Sequence, residues 1–259
     1  MKKSLIALLL LIVFCAPALA EDVPEGPLVG RVIGIDPGHQ RKADARREPI
    51  GPGARTTKYR CSEGTWGRES GVGEYKVVLA YGLALRDALT SRGATVVMAR
   101  ETNDVSISNA ERTKMFNAVG ADLAIHLHCD AATSRAPHGA TMYYPNTRYV
   151  SKETSVLSKH AGKFIFDRML AKTGAMSRGL RATSTFTTLN YADMPSLLFE
   201  MGFLTNAKEE RRLLNAQYQQ LVIDAIVEGM EAYFVALDAA FPAFEAVGPV
   251  DYVIGDLPE

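Results

Sequence analysis

The sequence predicts an α/β fold, a single domain with a mostly parallel central sheet flanked by helices. Two observations carry that expectation. Short apolar runs of the buried-strand type alternate with longer amphipathic segments, the order that βαβ units produce. The residues richest in chemistry also fall where strands end or helices begin, and α/β proteins gather their sites outside the carboxyl ends of strands. Arg31 to Ile35 reads as a first buried strand, stopped by Asp36-Pro37-Gly38. A long irregular stretch rich in Gly, Pro and Arg follows, from Gln40 to Gly73. Glu74 opens a helix in which Val78, Tyr81, Leu85 and Ala88 recur at helical spacing, with Gly93 as its terminator. Thr95 to Ala99 is the next strand. Ser108 and Glu111 have the spacing of a capping box for a helix through Val119, with Gly120 as the stop. Leu123 to His128 and Ala140 to Tyr144 read as strands, Thr154 to Leu170 as a helix, and Ser196 to Glu200 as a further buried strand. A helix capped near Asn206 and another from Tyr218 to Leu237 close the domain.

The ends of the chain read differently from its middle. Lys2 and Lys3 precede an apolar run, Leu5 to Phe14, too short for a comfortable membrane span, and Ala18-Leu19-Ala20 supplies a small-x-small cleavage site. Residues 1–20 are therefore expected to be a signal peptide and the mature protein to be exported. A bulky Phe14 before Cys15 argues against lipidation. Residues 21–239 form the expected domain, and 240–259, with four acids and no bases, an extended acidic tail. The mature chain of 239 residues is long enough for one α/β domain with a sizeable core. The 29 basic and 29 acidic residues of the full sequence balance, which argues against a dedicated nucleic-acid binder. No second long apolar run appears, so no integral membrane segment is expected after signal cleavage. Oligomeric state is not readable. Cys61 and Cys129 remain in a compartment where a disulfide persists; pairing and two free thiols are both open.

Four separated residues have the chemistry of a metal-dependent hydrolase: His39 in VIGIDPGH, Glu74 in GEYK, His128 in AIHLHCD and Glu200 in LLFEMGF. Two imidazoles and one carboxylate can hold zinc and leave a fourth position for water. Metal-bound water loses several pKa units, and a second carboxylate can move its proton to a leaving amine. Two of them also have a plainer reading: His39 as a turn residue bonding backbone, Glu74 as a charge favoured at a helix N-terminus. Glu200 at a buried strand end is the more unusual of the two acids. His126 complicates the set, because residues two apart in a strand face the same side, so His126 and His128 are equivalent by geometry alone.

The segments IDPGHQ, GEYK, ADLAIHLHCDA and MPSLLFEMGFLTNAKEE occur in the order and approximate spacing of the zinc-dependent N-acetylmuramoyl-L-alanine amidases, the amidase type 3 family of cell-wall hydrolases. TVVMARETND, SNAERTKMFNAVGAD and SRGLR (Ser177 to Arg181) resemble further pieces of that family. The resemblance spans about Val29 to Tyr233. It implies His39, Glu74 and His128 as zinc ligands and Glu200 as the catalytic acid/base. It also implies peptidoglycan or its muropeptide fragments as the partner, with action in the periplasm or cell wall. The bond cut would be the amide between N-acetylmuramic acid and L-alanine. Another zinc amidohydrolase of cell-wall peptides, or a non-catalytic peptidoglycan-binding module, are the competing functions. The family pattern favours His128 over His126 as ligand, leaving His126 to hydrogen-bond a ligand or to sit satisfied in the core.

Thirty-five positions separate His39 from Glu74, more than in the family's shorter forms. Segment 40–73 carries eight bases (Arg41, Lys42, Arg46, Arg47, Arg55, Lys58, Arg60 and Arg68) against four acids. Anchored at both ends by proposed ligands, it is expected to form a rim or lid that grips carboxylates of the stem peptide, the alternative being a solvated loop. Trp66 within it would stack on sugar or pin the loop. His138 and His160 lack ligand-like neighbours and are expected at the surface.

Overall fold

Ile33 and Ile35 alternate with residues that are also buried, the pattern of a strand covered on both faces, and they form the centre of β1 (Val32–Pro37). In the computed structural model, which describes residues 25–240, β1 is followed by β2 (Asp44–Pro49) and β3 (Thr57–Cys61). The leader expected at 1–20 and all but the first residue of the expected tail lie outside the described residues. Next come α1 (Glu74–Ser91), β4 (Thr95–Met98), α2 (Asn109–Ala118), β5 (Leu123–Asp130) and β6 (Ala140–Pro145). The chain continues through α3 (Lys152–Thr173), β7 (Ser177–Thr183), α4 (Thr187–Asn190), β8 (Ser196–Phe203), α5 (Ala207–Leu213) and α6 (Ala216–Ala240).

Six strands make one sheet in the order β4-β1-β5-β8-β6-β7. Pairing is parallel except between β6 and β8, which run antiparallel. The expected mostly parallel sheet is therefore present. The larger core lies between the sheet and α1, α3 and α6; a smaller one, around Phe116, Ala124 and Met194, lies beneath α2 on the other face. The capping box at the start of α2 is made as expected: Ser108 Oγ accepts from the Glu111 amide and the Glu111 carboxylate accepts from the Ser108 amide. Asn206 caps α5 with its side chain, accepting from the Lys208 and Glu209 amides.

Two parts of the fold differ from the expectation. The stretch from Gln40 to Gly73 is not irregular throughout, because β2 and β3 pair antiparallel as a separate two-stranded sheet. Most of their residues are exposed, so the apolar alternation that marks a half-buried strand is missing. Polar bonds hold the pair instead, including Arg47 to the hydroxyl and carbonyl of Thr57 and Arg60 to Asp44. Ser177–Thr183 is likewise a strand, β7, lying at the sheet's edge with little buried surface to announce it.

Helices α3 and α6 cross where Gly229 faces Ile165, and a Cβ on Gly229 would stand 2.5 Å from the Ile165 Cα. Replacing Gly229 by Val is expected to force the helices apart and cost about 1–3 kcal/mol, read as a lower urea midpoint with an unchanged slope.

Candidate metal centre

Three neighbouring strands deliver the site. β1, β5 and β8 lie side by side, and at their carboxyl ends stand His39, just beyond β1, His128 near the end of β5, and Glu200 within β8. His128 and Glu200 are register partners across the β5–β8 pair. Glu74 arrives from elsewhere, as the first residue of α1. Its neighbour Gly73 leads into the helix with no side-chain cap, and an acid in the first turn is favoured by the helix dipole.

The structure brings three of the four residues into contact. Glu74 Oε1 lies 3.1 Å from His39 Nε2 and 3.3 Å from His128 Nδ1, and the two ring nitrogens are 3.0 Å apart. Donors at about 2.0–2.1 Å on a tetrahedron around zinc stand about 3.3 Å from one another, so this triangle fits such an ion in both donor type and spacing. The outward nitrogen of His39, Nδ1, lies 3.1 Å from the Ser62 carbonyl, to which its N–H donates, leaving the Nε2 lone pair for the cluster. Ser62 Oγ is also 2.9 Å from Nδ1.

Glu74 is almost wholly buried and accepts from two amides, Cys129 N at 2.8 Å on Oε1 and Thr65 N at 2.9 Å on Oε2. Burial alone would raise its pKa, but the facing imidazoles His39 and His128 outweigh that and hold it well below the usual carboxylate range. Burial lowers the pKa of His128, in spite of Glu74 beside it, so its ring favours the neutral form that a metal requires. Gly38 makes room for that ring: a Cβ there would lie 2.2 Å from His128 Cε1. Gly64, at φ 81°, does the same for Glu74 and His39.

His39 itself has φ 63°, the one non-glycine residue in the left-handed region among those described. Two buried arginines hold the turn it sits on. Arg112 donates to the Asp36 carboxylate at 2.6 Å, to the Pro37 carbonyl at 3.1 Å and to the His39 carbonyl at 2.7 Å. Arg100 donates to the carbonyls of Pro37, Gly38 and Tyr75 at 2.7, 2.9 and 2.8 Å. Neither arginine was singled out from sequence. Both lie in the segments that carry the family resemblance, which was the only signal pointing to them.

His126 does not join the triangle. It is fully buried, with Nδ1 2.9 Å from Asp36 Oδ2 and Nε2 3.2 Å from Ser196 Oγ. Of the two readings left open for it, a satisfied core histidine fits this placement, since it bonds none of the three clustered residues.

Glu200 shares with the triangle a cavity of about 470 Å³, whose walls also include Lys58, Ser62, Asp130 and Thr187. Its Oε2 is shielded from solvent and has no hydrogen-bond partner. Burial, reinforced by the charges of Glu74 and Asp130, raises its pKa well above the usual carboxylate value. Elsewhere, Cys61 and Cys129 are both buried and both free thiols, so the disulfide left open from sequence is not formed. Trp66 packs edge-on against Tyr75 at 5.9 Å while remaining 44% exposed, which pins the loop and keeps part of the indole at the surface. His138 is exposed and His160 partly so, in keeping with their expected place.

A sheet that brings two imidazoles and a carboxylate together, with a second shielded carboxylate in the same cavity, has the parts of a metal-dependent hydrolase site. The chain belongs to the N-acetylmuramoyl-L-alanine amidase family, whose model matches residues 33–232. It is 30% identical over 221 residues to N-acetylmuramoyl-L-alanine amidase LytC of Bacillus subtilis, a match covering 84% of this chain and 39% of the relative. With N-acetylmuramoyl-L-alanine amidase AmiC of Escherichia coli it shares 28% identity, over 84% of this chain and 60% of the relative. The chain thus spans less than two thirds of either relative. The crystal structure of an N-acetylmuramyl-L-alanine amidase from Mycobacterium smegmatis superposes with a TM-score of 0.73 at 25% identity, covering 80% of this chain and 98% of that one.

Asp36 carries the electrostatic balance beneath the site. Burial would raise its pKa, but Arg112 and His126 hold it far below the usual aspartate value. A depressed carboxylate stabilises the fold fully above its unfolded pKa of about 3.9, and that contribution is lost as pH falls below it. Asp36→Ala leaves Arg112 buried without its counter-charge, and a loss of about 3–5 kcal/mol is expected from denaturant titration at pH 7. The difference between variant and parent should shrink as the titration is repeated toward pH 2.

Proposed function

We propose that the chain is a zinc-dependent N-acetylmuramoyl-L-alanine amidase that hydrolyses the amide between N-acetylmuramic acid and L-alanine in bacterial peptidoglycan. The observation that carries the proposal is the convergence of His39, Glu74 and His128 at the same cavity as a shielded, partnerless Glu200 oxygen, in a chain that belongs to this family. In this reading His39 Nε2, His128 Nδ1 and a Glu74 oxygen hold the zinc. The ion supplies a Lewis acid for the amide carbonyl and lowers the pKa of water.

Glu200 carries the protons. Its carboxylate takes one from the attacking water and returns one to the alanine nitrogen as the carbon–nitrogen bond breaks, so the peptide leaves as a free amine. Its raised pKa suits the donating half of that cycle, and a dication held at the triangle would lower it, which would suit the accepting half. Asp36, Arg100 and Arg112 take no part in proton transfer; they hold the His39 turn at its place. Residues 1–20 as a signal peptide, 21–239 as the catalytic domain and 240–259 as an acidic tail complete the reading, with action in the periplasm or cell wall. No helix among the described residues is long and apolar enough to cross a membrane.

Digestion of purified peptidoglycan by the zinc-loaded protein should release peptides that begin with L-alanine, identified by mass spectrometry; release of sugar-linked or shortened peptides alone would refute the assignment. Glu200→Gln is expected to keep bound zinc and lose about 10²–10⁴-fold in turnover. His128→Ala and Glu74→Ala should lose zinc, measured by elemental analysis after dialysis. His126→Ala should instead lower stability while retaining the metal, and the opposite outcome for the two histidines would reverse their roles.

A further inference from the structure

Five of the eight bases of segment 40–73 are engaged locally. Arg46 and Arg60 pair with Asp44, Arg60 also with Glu111, and Arg41 with Asp104. Arg47 bonds Thr57, and Arg68 bonds the carbonyls of Ala132 and Thr133. Lys58 differs from all of them. It is the one Lys or Arg lining the cavity that holds His39, Glu74, His128 and Glu200.

The side chain of Lys58 reaches from β3 across to the segment before α4. There its ammonium donates to the Thr185 carbonyl and lies 5.9 Å from the centre of the Phe186 ring. An ammonium has three N–H donors, and one carbonyl accounts for one of them. Glu48, its register partner on β2, directs its carboxylate to the Ala110 amide instead. Burial lowers the pKa of Lys58, with no carboxylate acting to raise it. The other charged groups in the cavity wall, Glu74, Asp130 and Glu200, are acids. Outside the proposed metal triangle, Lys58 is therefore the one lysine or arginine in the cavity wall that attracts an anionic ligand.

The chemistry of the substrate gives the direction. In N-acetylmuramic acid the only carboxyl group is consumed in the amide that is cut, so the sugar side is neutral there. Free carboxylates lie on the peptide side. Resting on the amidase reading, we propose that Lys58 is a specificity-determining residue that binds a free carboxylate of the peptide leaving group, orienting the peptide in the cavity and favouring acidic stem peptides over amidated ones.

The test uses two ligands that differ by one charge, N-acetylmuramoyl-L-alanyl-D-isoglutamate and its amide, N-acetylmuramoyl-L-alanyl-D-isoglutamine. Binding is measured by calorimetry on the zinc-loaded, full-length Glu200→Gln protein, so that turnover does not intrude. The acid should bind roughly tenfold tighter than the amide, the size of one charge-assisted hydrogen bond, and raised salt should narrow the gap. Adding Lys58→Ala should abolish the preference, Lys58→Arg should retain part of it, and Lys58→Glu should invert it. Equal binding of the two ligands by the Lys58 protein, binding of neither, or an acid preference that survives Lys58→Ala would each overturn the proposal. The amidase reading is judged separately, by release of L-alanine-terminated peptides from peptidoglycan by the protein with Glu200 intact. Release without acid preference sinks the role of Lys58 alone, whereas acid preference without release sinks the amidase reading and leaves Lys58 as a carboxylate site.

Discussion

Two buried guanidinium groups hold the turn after β1, and the geometry of the site depends on that grip. Pro37 ends β1, Gly38 and His39 lie just beyond it, and His39 adopts a left-handed conformation that costs about 1–3 kcal/mol in a residue with a Cβ. Arg112 and Arg100 take the carbonyls of all three between them. Arg100 also bonds the carbonyl of Tyr75, next to Glu74, so one side chain ties the turn bearing His39 to the helix start bearing Glu74. The charges are balanced unequally. Asp36 neutralises Arg112, whereas Arg100 bonds only carbonyl and amide oxygens, and burial pushes its pKa down to about 10. A network with this much buried charge is sensitive to any missing member, because each loss strands an ion or a carbonyl away from water.

That dependence explains what was legible in the sequence. The parallel strands β1, β5 and β8 are buried on both faces, so their apolar runs stood out, and the capping box of α2 is a local signal that needs no partner. His39, Glu74, His128 and Glu200 were visible because imidazoles and carboxylates at strand and helix ends are unusual. Arg112 was not: in a helix with Glu111 and Lys114 nearby, a buried arginine looks like any solvated one. The pair His126 and His128 shows the same boundary more sharply. Period two puts both on one face, and what separates them is depth. Register sets His126 against Asp36, under the turn, while His128 stands one pleat further out, opposite Glu200. Register is a property of paired strands, and a single strand's residues do not contain it.

Segment 40–73 illustrates a converse limit. Its formal charge of +4 invited a reading in which many bases act together on a ligand. Folded, most of that charge is spent locally, on Asp44, Asp104, Glu111 and backbone carbonyls, and exposed pairs of this kind contribute little to stability. Net charge over a loop is a sum, but a ligand meets only the groups that face it. Pairing in β2 and β3 decides which those are, by aiming Lys58 into the cavity and turning its neighbours elsewhere.

The division of labour between the two glutamates follows from backbone placement rather than from residue type. Glu74 sits where the start of α1 meets the end of β5, and there the amides of Thr65 and Cys129 both point at its carboxylate. With two imidazoles facing it as well, the ionised form is the stable one, which is what a metal ligand needs. Glu200 lines the same cavity from β8, and no donor reaches its Oε2. Burial and the negative charge of Glu74 then favour the protonated form. The same carboxylate that would anchor a cation in the proposed reading thus disfavours ionisation of its neighbour. A dication held at the triangle, as proposed, would reverse the sign of that influence and so link metal binding to the proton affinity of Glu200.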